Sequence, residues 1–356
     1  ELAALIGSQT ALSNRNLVIN GAMQVAQRST STASITTTAY HTIDRWSTSL
    51  TTLGTWTQSQ STDVPSGQGF ASSLKMACTT ADASPAAGDR LIIRQVLEGQ
   101  NVQQLKKGTA NAESVTLSFW VKSSKTGTHI VEIYDQDNTR NIAKTYTVSS
   151  ANTWEKKEVT FSGDTTGAFD NDTSASLYLN MWLGAGSTYT SGTLATSWES
   201  ATAANRAVGQ VNLADSTSNE WYITGVQLEV GETATPFEHK SYADYEWDCQ
   251  RYYHMVKEGS GTYMQFCTGR AWGTGGANAP YKFPRVMRAS PTMTAGGAAS
   301  DYDFSISAVP AAGSVTLNND MMMINISGSF TTGQIVVIGS NAGGSGPAAL
   351  MFDAEL

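Results

Sequence analysis

Polar and aromatic side chains alternate with apolar ones in three segments, and their types define the chemistry they could perform. In SLYLNMWLG, Leu177, Leu179, Met181 and Leu183 share one parity while Tyr178, Asn180 and Trp182 take the other. HIVEIYDQ sets Val131 and Ile133 against Glu132 and Tyr134, and VTLSFWVKS sets Val115, Leu117, Phe119 and Val121 against Trp120. Successive side chains of a strand point to opposite faces of its sheet. With the apolar set in a core, one outward face is expected to carry Trp120, Glu132, Tyr134, Tyr178, Asn180 and Trp182. Sugar rings offer C–H faces to aromatic planes and hydroxyls to amides and carboxylates, so this face suits a glycan cleft. Large amphipathic aromatics serve protein contacts equally well, because they combine buried area with a polar handle. A subunit or interdomain interface is therefore an open alternative, as is a second core.

Catalysis has less to stand on. Hydrolysis of a glycan needs two carboxyl groups about 5–10 Å apart across the bond. Glu132 is the one acid placed on the aromatic face, and Glu229, on a later strand, is its one candidate partner. His41, His129, His239 and His254 form no HExxH, and neither a GxSxG elbow nor a Walker A loop is present. The chain is expected not to be an enzyme and to need no cofactor. The loop DQDNTR (135–140) begins like a calcium loop, but Arg140 stands where the EF-hand pattern needs Gly and no Glu follows at the twelfth place. It reads as a hairpin turn, as FDNDTS with Asp170 and Asp172 reads as a solvated one. Cys78, Cys249 and Cys267 are odd in number and lack a CxxC pair, so neither a disulfide framework nor a metal site is expected.

Composition narrows the partners. Net charge is −8, with a sequence pI near 5.0 and the basic residues scattered. Binding to a phosphate backbone lacks its usual electrostatic source, and nucleic acid is not expected. Charged residues make up 15% of the 356, well below the roughly 25% of an average domain, while Ser, Thr, Gly and Ala fill the polar and small positions. That mix suits rigid virion or extracellular β structure. Apolar runs fall far short of the roughly 20 residues that span a bilayer, and ELAALIGSQT shows no signal sequence, so membrane insertion is not expected. The first residue is Glu, which suggests the end of a longer precursor.

The elements that must position these residues are mostly strands. From residue 14 to about 240, VTLSFWVKS, the pair within HIVEIYDQDNTRNIAKTYTVS, TWEKKEVTFSG, SLYLNMWLG and EWYITGVQLEVG imply a jelly-roll β-sandwich. Leu2, Leu5 and Ile6 at helical spacing suggest that residues 1–13 end a helical stem where chains meet. A connector helix is expected over 241–251, within EHKSYADYEWDCQRYYHM, where Tyr245, Asp248 and Tyr252 share a face. A smaller C-terminal β domain, 252–356, follows from short strands such as TYMQFCTGRAW, SVTLNNDMMMINIS and GQIVVIGS. Its Met321 and Met323 are expected in the core, and its Gly-rich loops 273–278 and 339–346 are candidate contacts. Arg45 beside Trp46 is expected to brace the joint between domains. The overall class is all-β.

NLVINGAMQVAQRS (16–29), IDRW (43–46), GVQLEVGETATPFEHKSYADYEWDCQRYY (225–253), FPRVMRASPT (283–292) and FDAEL (352–356) resemble recurring segments of phage tail-fibre and tail-tip proteins. The resemblance runs, with gaps, across nearly the whole chain. It implies a homotrimer on the virion, assembled in the host cytoplasm, joined to other virion tail proteins and engaged with a host surface glycan or protein. The first domain also resembles jelly-roll carbohydrate-binding modules, through Asn20-Gly21 and WYITGVQLEVG. In that wider family acidic residues near both segments hold a structural calcium. Here the matching positions are Gln24, Gly225 and Gln227, so the carboxylates are missing. Adhesion is the leading expectation, with a structural role (fibre shaft, adaptor or capsid decoration) the alternative and a polysaccharide depolymerase third.

Overall fold

The computed structural model describes residues 14–257, 264–296, 302–304, 314–327, 331–332, 335–340 and 349–356. The expected stem, residues 1–13, and most of the loop 339–346 lie outside the described residues. After Tyr245 the chain divides into two compact units.

In the first unit the strands follow in chain order as β1 (Ser31–Ile35), β2 (Ala39–Tyr40), β3 (Ser47–Thr51), β4 (Thr55–Ser61), β5 (Ser73–Thr80), β6 (Arg90–Glu98), β7 (Val115–Ser123), β8 (Gly127–Asp135), β9 (Arg140–Val148), β10 (Glu155–Phe161), β11 (Ala175–Ala185), β12 (Glu199–Ser200) and β13 (Glu220–Val230). They form two antiparallel sheets, a six-stranded one in the order β1-β4-β5-β13-β7-β10 and a seven-stranded one in the order β12-β9-β8-β11-β6-β3-β2. The fold is an all-β sandwich. Its core takes Leu117, Phe119, Val121, Ile223 and Leu228 from the first sheet, and Leu91, Ile93, Val131, Ile133, Leu177, Leu179, Met181 and Leu183 from the second. Each such aliphatic side chain contributes about 1.5–3 kcal/mol on burial. The alternation read in β7, β8 and β11 is therefore the alternation that builds the core.

Two local features explain sequence signals. Asn20 adopts φ 57° and is fully buried. Its Nδ2 donates to the carbonyls of Val25 and Asp44, and its Oδ1 accepts from the N–H groups of Gln24 and Val25, which closes the loop that Asn20-Gly21 begins. Arg45 is buried within the sandwich and donates to the Val96 carbonyl of β6 at 2.5 Å, while Trp46 lies in the core.

The helix expected near residue 245 forms as the nine-residue Tyr242–Gln250. Ser241 Oγ accepts from the Asp244 N–H at 3.2 Å and donates to the Asp244 carboxylate at 2.6 Å, a capped N-terminus. The second unit then adds β14 (Tyr253–Lys257), β15 (Gln265–Gly273), β16 (Gly276–Lys282), β17 (Thr292–Gly296), β18 (Tyr302–Phe304), β19 (Ser314–Leu317), β20 (Met321–Ser327), β21 (Ile335–Ser340) and β22 (Ala349–Asp353). They pair as β14-β22-β17 and β18-β21-β15-β16-β20-β19. Met322 is the core methionine, packed with Phe266, Phe283 and Phe352, while Met321 and Met323 are half-buried. The run had offered both parities, and pairing of Met322 opposite Tyr281 of β16 and Leu317 of β19 selects the one not expected.

Candidate glycan-binding face

The outward face of the seven-stranded sheet collects five of the six residues singled out in the sequence. Across the ladders Ala143, Glu132, Asn180, Arg94 and Ser47 lie in one row through β9, β8, β11, β6 and β3. Tyr134 and Tyr178 stand opposite each other in the next row, and Trp182 is opposite Ile92 of β6. Trp120 is not among them. Its parity is as expected, but β7 belongs to the six-stranded sheet, so Trp120 faces outward on the other side of the sandwich between Lys156 and Thr224. Alternation tells which side of its own sheet a residue takes. It does not tell which of two sheets the strand joins.

Glu132 is the structural centre of the face. It is fully buried, and its carboxylate accepts five hydrogen bonds: from Asn141 Nδ2 (3.1 Å), Asn180 Nδ2 (3.0 Å), Trp182 Nε1 (3.2 Å), and Arg206 Nε (2.7 Å) and Nη2 (2.9 Å). A buried carboxylate would cost several kcal/mol without such partners. The candidate partner acid, Glu229, lies on β13 of the other sheet. There it accepts from Gln227 Nε2, the Thr235 N–H and the Thr235 hydroxyl. The structure therefore does not bring the two acids together.

Arg206 arrives from a segment that the sequence reading left without a role. Residues 186–211 include the single helical turn Ser187–Thr190 and lie against one end of the face. The segment is tied down where the Val211 N–H donates to the Thr128 carbonyl and Gln210 Oε1 accepts from the Ile130 N–H. The Ala195 carbonyl accepts from the Ala143 N–H, and β12 pairs with β9. Trp182 packs beneath this segment with Ile92, Ile130, Ala143 and Ala207, and is fully buried.

Cations and aromatic rings alternate along the face. Arg90 lies 5.5 Å from the Tyr189 ring, Tyr189 packs 5.4 Å from Trp182, and Arg206 lies 5.4 Å from Trp182 and 4.7 Å from Tyr134. Tyr134 stacks on Tyr178 at 5.9 Å, and Arg94 lies 5.1 Å from Tyr178. Each cation over a ring gains about 0.5–2 kcal/mol. Tyr134, Tyr178 and Arg94 remain partly exposed, as do Arg90, Tyr189 and Arg206. Burial raises the Tyr178 phenol above its ordinary value against the pull of Arg94, so it stays a neutral donor and acceptor. Burial also holds the Arg94 guanidinium below the usual arginine range, with Arg90 and Arg206 pushing the same way. Arginine remains charged under those conditions.

Arg90, Arg94 and Arg206 are functional candidates that the sequence reading missed. A signal was present in RLIIRQVLE: two arginines four apart share a face in a strand whose intervening positions, Leu91, Ile92 and Ile93, are apolar.

Two further surfaces carry aromatics. Outside the six-stranded sheet, Tyr222 lies beneath Lys122 at 4.2 Å and Lys75 at 5.2 Å, beside Trp154. Their polar groups are occupied: Lys122 and Trp154 Nε1 by Asp63, Lys75 and the Tyr222 hydroxyl by Glu220. In the second unit Thr268, Gly269, Arg270, Trp272, Asn278 and Pro280 line an open concavity of about 590 Å³, in which Trp272 is 67% exposed.

No metal-ligating group of three or more His, Cys, Asp or Glu occurs among the described residues. The positions that correspond to calcium ligands in the resembling modules are engaged otherwise. Gln227 bonds to Glu229 and to the Glu238 N–H, and Gly225 sits at a bulge in β13 with φ 61°. All three cysteines are buried and free. No helix among the described residues is long and apolar enough to cross a membrane.

No protein-family model matches the chain, and no curated protein does. Among solved structures, the enzymatically active domain of tailspike protein 4 from bacteriophage CBA120 is similar at 16% identity and a TM-score of 0.32. That match covers 60% of this chain and 21% of the tailspike chain, so this chain spans about a fifth of it. The CBM22-1 xylan-binding domain of Paenibacillus barcinonensis Xyn10C is similar at 13% identity and a TM-score of 0.26, over 57% of this chain and 94% of its own. A family 11 carbohydrate-binding module from a Clostridium thermocellum cellulase gives 12%, 0.26, 57% and 99% for the same quantities. Likenesses this loose assign neither kinship nor activity.

Proposed function

We propose that this chain is a non-catalytic glycan-binding protein of a phage tail appendage, and that the outward face of its seven-stranded sheet engages a host surface glycan. The observation that carries the glycan reading is the pairing of Tyr134 with Tyr178, partly exposed and held over a row of buried polar groups. Rings supply stacking area for sugar C–H faces, and a rigid hydrogen-bonded floor keeps them in register at little entropic cost on binding. The non-catalytic reading rests on Glu132, whose carboxylate is saturated by five hydrogen bonds, and on the placement of Glu229 in the other sheet. The virion setting and the homotrimer rest on the tail-fibre resemblance of segments such as 16–29 and 225–253.

One observation favours the structural alternative. Ile335 is 68% exposed and stands opposite Arg270 on the sheet of the second unit that carries Trp272. Exposed large apolar side chains of that kind suit a contact with another tail protein or another copy.

A glycan array probed with the full chain tests the two readings. Glycan adhesion predicts selective, competable binding to at least one class of surface polysaccharide, unaffected by Ile335→Asp. If no glycan binds while Ile335→Asp dissociates an oligomer seen by native mass measurement, the adhesion reading fails and the structural one stands.

A further inference from the structure

Within the cation-rich face Arg90 and Arg94 both lack a carboxylate partner among the described residues, and Arg94 lacks any bonded one. Arg206 is matched by the Glu132 carboxylate, and Arg90 donates from Nη1 to the Tyr189 hydroxyl at 2.8 Å. Arg94 has no hydrogen bond or ion pair to any described residue, and its Nε is buried without an acceptor. Directly opposite it in the β11–β6 ladder is Asn180, whose Nδ2 donates to Glu132 while its Oδ1 is buried without a donor. Buried polar atoms are nearly always hydrogen-bonded. Asn180 is closed off from solvent, but Arg94 is partly exposed, so a bound group can meet its guanidinium.

The charge of that group follows from the surroundings. Three guanidinium groups share this part of the face with one carboxylate, Glu132, which Arg206 already engages from two points. The local excess is positive on a chain whose net charge is −8. Asp137, which acts electrostatically on Tyr178, is bonded through Oδ2 to the Asp170 N–H. The Tyr178 ring supports Arg94 as a platform. A planar guanidinium held this way matches a carboxylate with two parallel hydrogen bonds, which an ammonium cannot do.

We propose that Arg94 anchors a carboxylate on the bound sugar, so that the face selects acidic glycans of the uronic- or sialic-acid type over neutral ones. The partly exposed rings of Tyr134 and Tyr178 pack on the same sugar. This inference rests on reading the face as a glycan site, and names the class of sugar it takes.

Polygalacturonate, alginate, hyaluronan and polysialic acid, each alongside its carboxyl-reduced form, provide the test when titrated into the full chain by calorimetry. At least one acidic polymer should bind about ten to a hundred times more tightly than its reduced form, the range expected for hydrogen bonds to a charged group. Arg94→Gln should bring both forms to the weaker affinity with at most a small drop in melting temperature, since within the protein Arg94 gives up its place over the Tyr178 ring and no hydrogen bond. Tyr178→Ala should weaken both forms. Equal affinity of the wild type for acidic and reduced polymers overturns the acidic-sugar inference and leaves the glycan reading intact. Acid-selective binding that survives Arg94→Gln, or Arg94-dependent binding confined to a phosphate polymer such as teichoic acid, overturns it as well. Failure of every acidic, reduced and neutral glycan to bind removes the glycan reading itself.

Discussion

Arg206 meets Glu132 at two points, Nε to Oε1 at 2.7 Å and Nη2 to Oε2 at 2.9 Å, across 74 residues of chain. This pair fastens the 186–211 segment onto the sheet and fixes the walls of the proposed site. Breaking a buried pair from one side costs about 3–5 kcal/mol, because the remaining charge is left without a partner. Arg206→Met should therefore lower urea stability by that order. Glu132→Gln combined with Arg206→Met should recover a large part of the loss, since no buried charge is stranded. A double variant as unstable as the sum of the two single ones would show that the pair is not coupled.

The two sides of the sandwich should separate cleanly in binding. Tyr178→Ala removes a partly exposed ring from the proposed site and should weaken glycan binding by at least about tenfold, the behaviour of a hot-spot aromatic. Trp120→Ala removes a larger ring from the opposite sheet and should leave affinity unchanged. Isothermal titration of both variants with the same glycan measures this. Loss of binding in Trp120→Ala at intact stability would move the site to the other sheet.

Stability should depend on pH in two windows. His129 is fully buried and stacks on Tyr146 at 5.2 Å. Burial pushes its pKa from 6.5 down to about 4, against a smaller opposing contact with the Lys125 backbone. The unfolded chain thus binds more protons between these values, and stability falls as pH drops from about 6.5 to 4, by up to about 3 kcal/mol from this group. Below pH 4 the carboxylates take over. Burial alone would raise Asp164, but Arg140, the Thr166 N–H and Lys107 hold it below its ordinary 3.8, so its contribution is present above that value and lost as pH falls further. Urea midpoints at pH 7, 5.5 and 4.5 report the first window. Burial also pushes His254 down to about 4 and lowers His41, so His129→Phe should reduce the slope without abolishing it, and an unaltered slope would remove His129 as a source.

Much of the fold was legible because alternation is a local signal. β7, β8 and β11 fall where the apolar parity placed them, and Leu177, Leu179 and Met181 face the core as read. What could not be read was long-range. Trp120 obeys its parity yet joins the other sheet, because strand pairing is decided by contacts far apart in sequence. Glu132 and Asn180 were placed together correctly but as accessible groups. Their burial depends on Trp182 of β11 and on Arg206, which the 186–211 segment brings over them, and the composition of that segment carries no periodicity. Arg94 lies in RLIIRQVLE, a largely buried strand in which an arginine is a signal by being out of place.

Tyr134 and Tyr178 are the proposed glycan contact. Hydroxyl-radical footprinting of the full chain, with and without a glycan that binds on the array, reads that contact directly at the side chains. Glycan should shield Tyr134 and Tyr178 from oxidation while Trp272, 67% exposed in the second unit, and Trp154, beside Tyr222 of the opposite sheet, stay as reactive as before. Protection of Trp272 or Trp154 with Tyr134 and Tyr178 unchanged would contradict it.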